Sequence, residues 1–155
     1  MSSAPASLDR FPRLDQFLCF SVYAAGHALT RAYKPLLEPL GLTYPQYLVM
    51  VALWEQDDQT VGGLGAALSL ESNTLTPLLK RLEAMGHLSR RRDSRDERQV
   101  RVRLTDQGRA LEAQARAVPG GLLAATGLGL PELIDLQQRM TALRHSIDTH
   151  LGAPS

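Results

Sequence analysis

The sequence holds a single cysteine, Cys19, in 155 residues, and that scarcity excludes a good deal. A lone thiol forms no intrachain disulfide and completes no multi-cysteine zinc or iron–sulfur site. A chain without disulfides fits a reducing compartment. Long hydrophobic runs are also missing: the longest, Tyr47 to Trp54, falls far short of a bilayer span. Met1 to Leu8 lacks the basic start and apolar stretch of a signal peptide. A cytoplasmic protein with no membrane partner is expected. His27, His87, His145 and His150 show no metal-ligand spacing and are expected to be exposed or incidental. Gly62-Gly63-Leu64-Gly65 lacks the lysine and preceding buried strand of a phosphate loop. No nucleophile elbow is present. The sequence therefore points to no enzyme, no metal and no cofactor.

Charge of either sign is nearly balanced, at a net +1, yet it is unevenly placed. Lys80 to Arg103 carries nine basic residues against four acidic ones, a local +5 that leaves −4 for the remainder. A compact basic segment in an otherwise acidic domain is the electrostatic footprint of a polyanion binder. The length fits one domain, 1–155, and a composition with 44% hydrophobic and 21% charged residues is that of a globular chain. Only 5% is aromatic, and the abundance of alanine and leucine favours helices.

Leu14, Phe17, Leu18, Val22, Ala25 and Leu29 recur by threes and fours, predicting one long helix from about Pro12 to Leu37. Pro39 and Gly41 end it. Thr43-Tyr44-Pro45-Gln46 is a capping box for a buried helix reaching about Trp54. Thr60 caps a short helix, Val61 to Leu68. Leu75, Leu78, Leu79 and Leu82 then give a helical stripe with Thr74, Thr76, Lys80 and Arg81 facing elsewhere. Pro77 within that stripe requires the helix to start near Asn73 or to bend. After the breaker Gly86, two runs of period two, His87 to Arg91 and Val100 to Leu104, flank a wholly polar loop and predict a β-hairpin. Thr105 opens a helix to about Val118, Pro119-Gly120-Gly121 interrupts it, and Pro131 opens a last helix striped by Leu133, Leu136, Met140, Leu143, Ile147 and Leu151.

The fold class that follows is mainly α with a small β-hairpin, in the order of a winged helix-turn-helix. Such a motif places its second helix in the major groove of double-stranded DNA and its hairpin over the neighbouring minor groove. Ser72, Asn73, Thr74, Thr76 and Pro77 supply the groove-facing end of that helix, and Lys80 and Arg81 reach phosphates. Arg92, Arg95, Asp96 and Arg98 form the wing. Asp96, two residues from Arg98, can hold its guanidinium extended, the shape that suits a narrow minor groove.

Three further segments carry a resemblance. Leu14-Asp15-Gln16-Phe17-Leu18-Cys19-Phe20, Tyr33-Lys34-Pro35-Leu36-Leu37 and Leu42-Thr43-Tyr44-Pro45-Gln46-Tyr47 resemble the organic hydroperoxide resistance regulators of the MarR family. The likeness continues through Asn73 to Glu83 and Asp96-Glu97-Arg98 to Leu104-Thr105, about residues 12–118 in all. It implies a homodimeric repressor, with dimerisation helices at about 12–37 and 122–151 and a DNA-binding part at about 60–104. Such a repressor leaves a pseudo-palindromic operator when an organic hydroperoxide oxidises the cysteine. Cys19 is then the sensor, Tyr33 and Tyr44 the phenols that hydrogen-bond its sulfur, and Tyr23 a further pocket residue.

Spacing adds an independent constraint. Cys19 and Tyr33 lie 14 residues apart, about 21 Å along one helix, so they cannot touch within a subunit. Their midpoint is Gly26. Two copies crossing antiparallel there bring Cys19 of one beside Tyr33 of the other, and glycine permits the close approach. Val118 to Leu130 contains no cysteine, so a one-cysteine route is expected: sulfenic acid, then a mixed disulfide with a small thiol or overoxidation. An isolated free cysteine is more often a small buried hydrophobe; the pair of tyrosines reverses that reading. An alternative keeps the MarR-type fold, with control by reversible binding of a small aromatic ligand and Cys19 incidental. A thiol peroxidase is disfavoured, because Gln16-Phe17-Leu18 offers Cys19 no base or arginine. Gly62, Gly63 and Gly65 each weaken a helix by up to about 1 kcal/mol relative to alanine, for which close packing is the ordinary reason.

Overall fold

The structure is a computed structural model, and it describes residues 11–152. The expected first helix is divided. A 3-10 turn, Leu14–Gln16, ends at Phe17 in an extended conformation, and α1 spans Leu18–Leu37. The turn is closed by the Arg13 N–H donating to the Gln16 side chain. A second 3-10 turn, Glu38–Leu40, stops at Gly41 with φ 67°, a left-handed position that suits glycine. The predicted capping box is present: Gln46 N–H donates to Thr43 Oγ1 at 3.4 Å and Thr43 N–H to Gln46 Oε1 at 3.0 Å. It opens α2, Tyr44–Glu55, which is apolar nearly all round and contributes Val49, Met50 and Leu53 to the core.

A two-residue strand β1, Gln59–Thr60, leads into α3, Val61–Leu68, capped by Thr60 as predicted. Helix α4, Ser72–Ala84, buries Leu75, Leu79 and Leu82. It starts at Ser72, next to the expected Asn73, and Pro77 lies in its second turn, where the missing N–H leaves the Asn73 carbonyl without its helical donor. Gly86, at φ 85°, turns the chain into β2, Leu88–Arg92, and β3 follows at Val100–Leu104. The hairpin is part of a three-stranded antiparallel sheet in the order β1-β3-β2, with Thr60 opposite Arg101 and Arg91 opposite Arg101 on the other side. Sequence reasoning missed β1 because two residues carry no periodicity.

Helix α5 is Asp106–Ala115, capped by Thr105; α6 is Val118–Thr126, and α7 is Leu130–Leu151. The run from α5 to α6 and α7 meet at 93°. One core joins α1, α2, α3, α4, the sheet and α5, through Leu37, Leu53, Leu64, Leu79, Leu88 and Val102 among others. Each such leucine contributes about 1.5–3 kcal/mol by leaving water. Helix α7 buries no residue, and Leu18, Val22 and Leu29 of α1 and Ile134, Leu136 and Ile147 of α7 are exposed. No single helix among the described residues is long and apolar enough to cross a membrane.

The three glycines of α3 divide. A Cβ on Gly65 would lie 2.7 Å from the Leu70 carbonyl oxygen, so close packing accounts for it. A Cβ on Gly62 meets no atom within 4 Å, and one on Gly63 meets chiefly the capping Thr60 hydroxyl at 3.2 Å. Packing within the chain therefore does not explain Gly62.

Candidate nucleic-acid interface and sensor site

On α4 the buried leucines turn one face inward and leave Ser72, Asn73, Thr74, Pro77, Lys80 and Arg81 exposed, with Thr76 half-buried. A cleft of about 480 Å³ separates this helix from the wing; Thr60, Gly63, Ser72, Thr76, Arg90 and Arg98 line it. The recognition helix, the start of α3 and the wing thus share one concave face.

The basic segment needs a correction. Arg90, Arg101 and Arg103 are engaged by carboxylates and do not form a free cationic surface. Arg90 pairs with Glu83 through its Nε at 2.9 Å and its backbone N–H at 3.0 Å, fastening β2 to α4. These bonds hold the Glu83 carboxyl below its ordinary pKa. Arg101 donates from Nε to Asp58 Oδ1 at 2.8 Å, from Nη2 to the Asp58 carbonyl at 2.7 Å, and from Nη1 to Asp93 Oδ2 at 3.0 Å. Arg103 donates to Asp58 at 3.0 Å. Among the described residues, no ion pair engages Lys80, Arg81, Arg91, Arg92 or Arg95, and these supply the free positive charge. Period two had placed Arg101 and Arg103 on one face of β3. It could not show that the turn after α2 brings Asp58, and the wing loop Asp93, to that face.

At the wing tip the expected arrangement is present. Arg98 donates from its backbone N–H at 3.1 Å and from Nε at 3.2 Å to the same Asp96 oxygen, and its side chain is 93% exposed. The loop is organised by Asp93, which accepts from the Arg95 N–H at 2.7 Å and the Asp96 N–H at 3.4 Å. The Arg95 N–H and Arg101 hold the Asp93 carboxyl below its usual range.

Asp58 sits at φ 57°, a conformation that costs an L-residue about 1–2 kcal/mol but that aspartate tolerates better than most. Hydrogen bonds from Arg103 and then Arg101 lower its pKa to about 2, against an ordinary 3.8. Its stabilising contribution is present in full above the ordinary value and is lost as pH falls toward about 2. Asp58→Asn should therefore be less stable than wild type at neutral pH, and the gap should close between about pH 4 and pH 2. Denaturant midpoints of both proteins across that range measure it; a gap independent of pH contradicts the assignment.

His87 also departs from expectation. It is 6% exposed, its Nδ1 has no hydrogen-bond partner, and burial pushes its pKa down. His27, His145 and His150 are exposed as expected.

The sensor residues divide into two groups. Tyr33 of α1 and Tyr44 of α2 stack with ring centroids 4.6 Å apart, and Tyr47 lies 5.8 Å from Tyr33. Burial, then the neighbouring phenols Tyr44 and Tyr47, push Tyr33 up to about 12, and burial raises Tyr44. Both therefore remain protonated hydrogen-bond donors at neutral pH. Cys19 is exposed near the far end of α1. That helix is continuous, so the sulfur and the Tyr33–Tyr44 pair remain about 21 Å apart within the chain. Tyr23, one turn from Cys19, packs edge-on against His27 at 4.4 Å and is not with the other tyrosines. Sequence reasoning missed Trp54, whose Nε1 donates to the Gly108 carbonyl at 2.9 Å and ties α2 to α5.

A helix-turn-helix with a paired wing, an exposed polar recognition helix and a free cationic rim defines a winged-helix DNA-binding transcriptional regulator. The profile described as transcriptional regulator SarA/Rot matches residues 31–114. The chain is 43% identical over 137 residues to the organic hydroperoxide resistance transcriptional regulator of Bacillus subtilis, covering 88% of this chain and 91% of that one. It is 48% identical over 140 residues to the HTH-type transcriptional regulator TtmR of Methylorubrum extorquens, covering 90% and 72%. Among solved structures, AbfR of Staphylococcus epidermidis superposes with a TM-score of 0.73 at 36% identity, covering 88% and 95%. The chain belongs to the MarR-type transcriptional regulators, within the branch of the organic hydroperoxide resistance regulators. These relatives are DNA-binding regulators and not enzymes.

Proposed function

We propose that this chain is a cytoplasmic, homodimeric repressor that binds a pseudo-palindromic operator and releases it when an organic hydroperoxide oxidises Cys19. The observation that carries the reading is the stacked Tyr33–Tyr44 pair, two protonated phenols, Tyr33 on the helix that also bears the exposed Cys19 and Tyr44 at the start of α2. Two copies crossing near Gly26, where a Cβ meets nothing within 4 Å, complete two sites at once. They also cover exposed apolar positions of α1 and α7, whose burial favours association.

Phenolic donors favour the anionic form of the sulfur. The thiolate attacks the terminal peroxide oxygen; the S–O bond forms as the O–O bond breaks, and the departing alkoxide takes a proton to leave as the alcohol. Sulfur is oxidised by two electrons and the hydroperoxide is reduced. The sulfenic acid then condenses with a small thiol, releasing water and leaving a mixed disulfide, or is oxidised further. Structures of the relative AbfR in reduced and overoxidised forms, each bound to DNA, and in a disulfide form support redox control in this group.

The relative CouR was solved with p-coumaroyl-CoA, and a largely apolar cleft of about 400 Å³ lies beside Tyr44, between Thr30, Lys34 and Leu42. That cleft favours the second reading, control by a small aromatic ligand. Operator binding by wild type and Cys19→Ser, with and without an organic hydroperoxide, separates the two: release by both proteins alike rejects the thiol switch.

A further inference from the structure

We propose that Arg101 is a positioning residue for the wing tip, connecting the turn after α2 to Arg98 through Asp58 and Asp93. The inference rests on the reading of Arg98 as a DNA contact and adds a residue that acts without touching DNA. Arg101 lies on β3, the central strand of the sheet, and all three of its guanidinium nitrogens are committed. Two hold Asp58, by its carboxylate and its carbonyl. The third holds Asp93.

A planar fork suits this role, because its bonding directions fix the relative placement of both partners. Asp93, 8% exposed, spends its other oxygen on the Arg95 and Asp96 backbone N–H groups. Asp96 in turn holds the backbone and the guanidinium of Arg98. Asp58, Arg101, Asp93, Asp96 and Arg98 therefore form a continuous series of charge-assisted hydrogen bonds. It begins where α2 ends and finishes at the exposed cation. The other end of α2 carries Tyr44, so the helix that bears a sensor phenol also anchors the wing. Three of the five Arg101 N–H donors are spent on Asp58 and Asp93, whose carboxylates offset its charge and make it a poor phosphate contact.

The test is a cycle of Arg98→Ala, Arg101→Leu and the double variant in full-length protein. It measures operator affinity over a range of salt, together with amide exchange at Arg95 and Asp96 without DNA. Arg98→Ala removes one cation from each wing of the dimer and is expected to lose about tenfold in affinity and about two units of salt slope. Arg101→Leu should lose about as much and should speed exchange of both amides. The double variant should bind like Arg98→Ala, since residues acting through one contact are not additive. Additive losses would mean that Arg101 meets DNA itself, and overturn the proposal. So would unchanged exchange in the Arg101 variant. If Arg98→Ala binds like wild type, the reading of Arg98 fails, and the exchange measurement alone decides whether Arg101 orders the wing. Asp58→Asn, which loosens the same tie with less change in volume, should shift exchange in the same direction and serves if Arg101→Leu does not fold.

Discussion

Cys19→Ser is expected to stay on its operator at a hydroperoxide dose that removes wild type. The serine hydroxyl fills nearly the same space, so reduced-state affinity should be unchanged, but an alcohol of high pKa does not attack an O–O bond. On oxidation, wild type is expected to lose on the order of a hundredfold in operator affinity, ~3 kcal/mol, the upper end of common coupling free energies. Tyr33→Phe and Tyr44→Phe should sit between the two. Each keeps the ring that stacks at 4.6 Å and removes one donor, so DNA binding in the reduced state persists while oxidation slows. Mobility shift with a fluorescent operator, paired with intact-mass measurement of the sulfur, reads both effects. Equal release by wild type and Cys19→Ser would reject the mechanism, and an unchanged oxidation rate in both tyrosine variants would remove the phenols from it.

The second large effect belongs to a residue with no chemistry. Gly108→Ala is expected to lower stability by about 3 kcal/mol, the upper end for overpacking, and the thermal midpoint by roughly 10 °C. A Cβ there would overlap the carbonyl oxygen of His87, which already accepts from the Thr105 N–H, and would press the Leu104 side chain. Neither neighbour is the loose end of a flexible group. Moving α5 away to make room would also break the Thr105 cap on the Gly108 N–H and the Trp54 bond to the Gly108 carbonyl. Gly62→Ala is the natural control: its Cβ meets nothing, so it should be neutral or raise stability by up to about 1 kcal/mol. Thermal denaturation of the two variants side by side decides the matter, and a Gly108→Ala protein as stable as wild type would show the junction to be softer than its geometry implies.

What the sequence disclosed is local. The Thr43–Gln46 box and the Thr60 and Thr105 caps were legible because a cap is a bond between residues three apart. The hairpin was legible because Val100, Val102 and Leu104 alternate with arginines. The Asp96–Arg98 clamp spans two residues and was read for the same reason. What stayed hidden depends on chain separation. Asp58 reaches Arg101 across 43 residues and Trp54 reaches Gly108 across 54, and neither pair has a signature in its own neighbourhood. Counting charge along the chain therefore included Arg101 and Arg103 in the basic footprint, although their face of β3 is turned toward the aspartates. His87 was misjudged for a related reason: an isolated histidine looks alike in sequence whether it is exposed or buried. The tyrosine pair was found through resemblance to known regulators, and the structure adds their stacking and protonation.

The unbroken course of α1 from Leu18 to Leu37 has a genetic consequence. Because one chain cannot bring its own Cys19 to its own Tyr33, each site of the proposed dimer draws its sulfur from one gene copy and its phenols from the other. Two defective alleles can then complement. Co-expressed Cys19→Ser and Tyr33→Phe/Tyr44→Phe chains form mixed dimers in which one site lacks both halves and the other is whole. Cells carrying both alleles should regain part of the hydroperoxide response that each allele alone has lost. An assembly with each sensor confined to one chain would show no such recovery.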